Sequence, residues 1–114
     1  MGQRDKQVQM KYGNKPTVIH GIRFASIKEG MRYIILLDEI RLGKITNLEI
    51  QPEYKIWVLR QDGTEIAVGK YIADFQYVRD GKQIVEDVKG VKTSVYRLKK
   101  KLIEARYGIR ILET

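Results

Sequence analysis

The chain has 114 residues, with 22 lysines and arginines against 14 aspartates and glutamates, a formal net charge of +8, and no cysteine. That length supports one domain around a single core, the lack of cysteine excludes a disulfide framework and a thiolate metal centre, and no apolar run reaches the roughly 20 residues a membrane span needs. The positive excess favours a polyanionic partner, nucleic acid being the commonest for such a domain, although ribosomal and membrane-surface proteins share this balance.

Residues 1–17 are polar and basic (Arg4, Lys6, Lys11, Lys15), lack sustained periodicity and end beside Pro16. They read as a flexible arm, able to follow a phosphate backbone or simply to keep the chain soluble, ahead of a single domain over 18–114. No signal-peptide h-region precedes it, so a cytosolic protein is expected. Ile19 to Phe24 suits a short strand or an extended entry. His20 is the only histidine and has no nearby histidine or cysteine partner, so it is assigned to structure.

Ser26-Ile27-Lys28-Glu29 matches a capping box, with serine at the N-cap and glutamate at N3. Ile27, Met31, Ile34, Ile35 and Leu42 continue at helical spacing, which predicts a helix from about Ser26 to Leu42 with Gly43 as its stop. Leu48 to Leu59 is a strand pattern interrupted by Pro52, as at an edge or a bulge. Trp57 follows its apolar alternation and is expected in the core. Gln61-Asp62-Gly63 is a turn, and Thr64 to Val68 extends the next strand.

Tyr71 to Gly90 then reads as two strands joined by Asp80-Gly81, a strong signal for a type I′ hairpin. With Arg79 facing Lys82, Asp74 lies opposite Asp87, and Lys89 shares their face by the period-2 rule. Two carboxylates about 5 Å apart repel by roughly 3 kcal/mol at an effective dielectric of ~20. A divalent cation between them reverses the sign, and a hard ion such as Mg²⁺ is commonly held by one or two carboxylates with waters and phosphate oxygens. The bland alternative is an ordinary solvated hairpin face.

Thr93 or Ser94 caps a second predicted helix reaching Tyr107, with Val95, Leu98, Leu102 and Ala105 on its buried stripe and Gly108 at its end. Arg97, Lys99, Lys100, Lys101 and Arg106 fill much of the remaining circumference against one acid, Glu104, a bias that favours phosphate contact. Ile109 to Leu112 forms a last short strand. The element order is helix, three strands, helix, strand: an α/β (α+β) fold with a mixed sheet flanked by helices.

Ala73-Asp74, followed after one turn by Asp87-Val88-Lys89, resembles the split motif of the PD-(D/E)XK nuclease superfamily, with alanine where the family has proline. YIADF, VEDVKG and Tyr96-Arg97-Leu98-Lys99-Lys100-Lys101 are similar to a group of small phage and prophage proteins related to Holliday-junction resolvases and transposon-type endonucleases. The likeness runs from about Gly21 to Glu113, and its αβββαβ core agrees with the element order above.

The resemblance implies a Mg²⁺- or Mn²⁺-dependent endonuclease acting on DNA. Its metal would be held by Asp74, Asp87 and the backbone carbonyl of Val88, with Glu29 reaching the metal or its waters. Lys89 would orient or deprotonate the attacking water, or neutralise charge on the scissile phosphate. Gln51 would lie near the DNA or metal, and Arg97, Lys99 and Lys101 would contact phosphates. It also implies branched DNA as substrate, a homodimer, and a host-cell cytosolic setting if phage-encoded. Glu29 has a second reading as a helix cap. Glu86 points away from Asp87 in a regular strand, whereas a bulge would exchange the two acids. The competing function is a basic nucleic-acid-binding module without catalysis.

Overall fold

The Asp-Gly signal forms as expected. Asp80 and Gly81 both take positive φ, 53° and 75°, the pair that a type I′ turn needs, and Arg79 faces Lys82 across it. In this computed structural model, which describes residues 15–89 and 91–114, the chain is α+β and divides into two compact units, Met1–Lys44 and Ile45–Thr114. The predicted basic arm lies almost wholly outside the described residues.

In the first unit, β1 (Thr17–Ile19) and β2 (Ile22–Phe24) pair antiparallel and are followed by helix α1 (Ile27–Arg41). The single entry strand expected here is therefore a hairpin. Its turn is His20-Gly21, both at positive φ, and the lone histidine serves the turn and packs edge-on to Tyr33. Ser26 caps α1, accepting the Glu29 N–H on Oγ at 3.1 Å.

The buried side of α1 is not its row of large apolar residues. Glu29, Gly30, Tyr33 and Leu36 are buried, whereas Ile27, Met31, Ile34, Ile35 and Leu42 are exposed. The reason lies at Gly30. A Cβ there would stand 2.7 Å from Thr17 Cγ2 and 2.8 Å from Ile19 Cδ1, so the small residue lets the hairpin approach the helix on this side. Tyr33 packs on Phe24 from the same side, at 5.1 Å between ring centroids.

The second unit holds β3 (Thr46–Ile50), β4 (Glu53–Leu59), β5 (Glu65–Ile72), β6 (Phe75–Arg79), β7 (Lys82–Asp87), helix α2 (Ser94–Tyr107) and β8 (Ile111–Glu113). A four-stranded mixed sheet runs in the order β3-β6-β7-β8, its last pair parallel and the others antiparallel, while β4 and β5 form a separate two-stranded sheet. Pro52 marks the passage from one sheet to the other. Its carbonyl accepts the Ala73 N–H at 3.1 Å, and Gln51 before it takes a positive φ of 53°.

The strand expected to run unbroken from Tyr71 to Arg79 is accordingly two strands. Tyr71 and Ile72 close the β4–β5 ladder, the chain breaks at Ala73-Asp74, and β6 begins at Phe75. A buried cluster gathers Tyr71, Ala73, Val85 and Ile111 with Ile56, Tyr96 and Ile103. Full burial of an aliphatic side chain such as Val85 or Ile103 stabilises by about 2 kcal/mol.

Helix α2 is capped at Thr93, which accepts the Tyr96 N–H, and ends at left-handed Gly108. It packs on β4 and β5 through Tyr96 and Ile103. Val95, Leu98, Leu102 and Ala105, predicted to be inward, face outward. Trp57, expected in the core, is only half-buried, with Lys55 and Arg106 each 5.6 Å from its ring centroid.

Candidate metal and nucleic-acid site

The hairpin register brings the acids to one strand end. From Arg79↔Lys82 to Phe75↔Glu86 the pairing is unshifted, and Asp74 and Asp87 are the residues just beyond that last pair. Asp74 lies just outside β6, at the break between the two sheets. Its N–H donates to the Glu86 carbonyl at 3.1 Å, and its own carbonyl accepts the Gln51 N–H at 2.9 Å. Its carboxylate turns toward the other strand, where Oδ2 accepts the Val88 N–H at 2.6 Å.

Asp87, 1% exposed, has a partner on each oxygen. The Tyr71 hydroxyl donates to Oδ2, and Lys89 Nζ lies 3.1 Å from Oδ1. Burial first, and then the negative charge of Asp87, push the Tyr71 phenol far above its usual range, so it keeps the proton it donates. Lys89 is three-quarters buried along its side chain, and its ammonium stands 4.2 Å from the centroid of the Tyr96 ring.

Glu86 occupies the opposite face. Fully buried, it accepts from Tyr77 Oη at 2.7 Å and from Thr114 Oγ1 at 3.0 Å. Against β8, β7 runs through Glu86 and Asp87 without a shift, and Asp87 is the one that meets Lys89 and Tyr71.

The other predicted residues are distributed more widely. Glu29 belongs to the first unit, on the first turn of α1. Gln51 adjoins Asp74 through its backbone. Lys99 donates from Nζ to the Lys70 carbonyl at 3.2 Å, while Arg97 and Lys101 are exposed on α2. Among the described residues, no three or more histidine, cysteine, aspartate or glutamate side chains gather to hold an ion. The assembled site is thus a carboxylate pair, the Val88 backbone and one lysine.

Sequence reasoning missed the layer beneath it. Tyr96 donates its hydroxyl to Glu113 Oε2 at 2.7 Å, and Glu113 is paired with Lys92 at 3.0 Å and Lys100 at 3.2 Å. The seven-residue spacing of Tyr96 and Ile103, two helical turns, was the available signal for this face of α2. Nothing local in the sequence indicates that Tyr71 reaches Asp87.

A family model described as a protein of unknown function (DUF1064) matches residues 9–112. The chain belongs to the DUF1064 family. The span that DUF1064 covers contains Glu29, Asp74, Asp87, Lys89 and the whole of α2. Comparisons with curated proteins and with solved structures find no match. Among the described residues, no helix is long and apolar enough to cross a membrane.

Proposed function

We propose that this protein is a metal-dependent DNA endonuclease of the PD-(D/E)XK type. The observation that supports the reading is the Asp74 carboxylate accepting the N–H of Val88, the residue between Asp87 and its ion-pair partner Lys89. Repulsion between such acids is relieved by a cation, and an all-oxygen donor set of two carboxylates and a carbonyl fits a hard divalent ion. Asp74, Asp87 and the Val88 carbonyl would hold Mg²⁺ or Mn²⁺, with Glu29 as the proposed further acid.

The ion, when bound, supplies Lewis acidity that makes water a nucleophile near neutral pH and offsets charge on the phosphate. Tyr71 holds one oxygen of Asp87 and so fixes the plane of that carboxylate. A carboxylate and a ring face are both partners for a cation, so Lys89 is assigned to neutralise charge growing on the scissile phosphate rather than to take a proton. Arg97, Lys99 and Lys101 on α2 would follow the phosphate backbone. Branched DNA such as a four-way junction, cut by a homodimer in the cytosol, is the substrate proposed from the resemblance.

The test is cleavage of a four-way junction and of a linear duplex in Mg²⁺ by the wild type and by Asp74→Asn, Lys89→Met and Glu29→Gln, each checked for folding. Loss of cutting in folded Asp74→Asn and Lys89→Met is expected; wild-type rates in both would remove the site. Loss in Glu29→Gln separates a metal-site acid from a mere helix cap, and equal cutting of the linear duplex would remove junction selectivity.

The second reading, a nucleic-acid-binding module without catalysis, is favoured by the fact that Asp87 already has Tyr71 and Lys89 as partners. Calorimetric titration with Mn²⁺ decides between them. The nuclease takes up the ion in an Asp74-dependent way, and the binding module takes up none.

A further inference from the structure

A lysine side chain has four rotatable bonds and about 2 kcal/mol of rotamer entropy, so an ammonium stays at one place only where its surroundings hold it. Lys89 is gripped from two directions: the Asp87 carboxylate at 3.1 Å and the Tyr96 ring at 4.2 Å. The ring is anchored in turn, because the Tyr96 hydroxyl donates to Glu113 at 2.7 Å and Lys92 and Lys100 hold that carboxylate. Burial, and then the bond to Glu113, raise the Tyr96 phenol well above its usual range, so it remains a donor. Glu113 is also the register partner of Asp87 on the adjoining parallel strand, and Thr114 exchanges backbone hydrogen bonds with Asp87 and Lys89.

We propose that Tyr96 and Glu113 are positioning residues, in which the Glu113 carboxylate sets the Tyr96 ring and the ring face sets where the Lys89 ammonium stands beside Asp87. The catalytic consequence rests on the nuclease reading; the geometric claim does not. If Tyr96 served only the core, its ring alone would matter and its hydroxyl would be dispensable. If Glu113 served only to clasp the last strand through its lysines, Lys89 would not respond to its loss.

The experiment uses the full chain with ¹³C-labelled lysine, following the ε-CH₂ resonance of Lys89, which the Tyr96 ring current displaces upfield. Lys89→Arg identifies the signal, and Tyr96→Leu gives its position without the ring. Tyr96→Phe keeps the ring and removes the bond to Glu113, and Glu113→Ala removes the acceptor itself at a part-exposed site, preserving the test if Tyr96→Phe fails to fold.

In folded Tyr96→Phe and Glu113→Ala, the Lys89 signal is expected to move at least halfway toward its position in Tyr96→Leu. Cleavage by these variants is expected to show kcat reduced on the order of tenfold at unchanged KM, as for loss of an outer-layer partner. An unmoved Lys89 signal in both folded variants, or an undiminished kcat in a cleaving enzyme, would overturn the proposal. A wild type that cuts no DNA would instead remove the nuclease reading, and the spectrum alone would then decide the geometric claim.

Discussion

Val88 donates its backbone N–H to the Asp74 carboxylate at 2.6 Å, bridging the two strands just where the β6–β7 ladder has ended. One side chain thus replaces the next rung of the sheet and leaves its charge at the strand end. Asp74→Asn keeps an acceptor for Val88, whereas Asp74→Ala leaves that N–H without one. The alanine variant is expected to be less stable than the asparagine variant by about 1 kcal/mol in urea denaturation. Equal midpoints would show that the bond contributes nothing.

Lys89 and Asp87 form an ion pair in which the acid is almost wholly buried. Lys89→Met leaves that acid without its cation and is expected to cost about 3 kcal/mol, because a stranded buried charge is more costly than a missing pair. Adding Asp87→Asn should restore most of the loss. A double-mutant cycle in urea checks this, and strictly additive effects would contradict the coupling.

Glu113 gives the fold an acid limit. The bond from Tyr96, followed by those from Lys92 and Lys100, lowers its carboxyl from 4.5 to about 2. A carboxyl depressed on folding stabilises the native state above its unfolded value, and the contribution disappears as pH falls through the folded value. Stability should therefore decline between about pH 4.5 and 2 in the wild type, and the decline should be shallower in Glu113→Gln. Parallel acid-unfolding curves for the two proteins would refute this assignment.

Gly30 tests the packing of the first unit. In an exposed helix, alanine in place of glycine gains about 1 kcal/mol. Here its Cβ would meet the side-chain ends of Thr17 and Ile19 inside 3 Å. Gly30→Ala is thus expected to show little or no gain in thermal midpoint, and Gly30→Val a clear loss, since a branched side chain cannot enter the gap. A stabilised Gly30→Val would contradict the close approach of hairpin and helix.

Punctuation was legible from the residues because its causes are local. Ser26 and Thr93 accept hydrogen bonds within their own first turns, Gly43 and Gly108 take the left-handed conformation that ends a helix, and Asp80-Gly81 forms the turn from which the β6–β7 register follows. These choices need no distant partner, so a few consecutive side chains settle them. The α+β order was readable for the same reason.

Which helix faces are covered was not readable. The apolar rows of α1 and α2 look like core stripes by spacing, yet Gly30 and Tyr33 on one helix and Tyr96 and Ile103 on the other turn inward. Tyr71, Tyr96 and Glu113, scattered over more than 40 positions of sequence, meet around Asp87 and Lys89. Periodicity reports where apolar residues recur along one element, whereas burial depends on which neighbouring element approaches, and that is settled by strands and helices far apart in the chain.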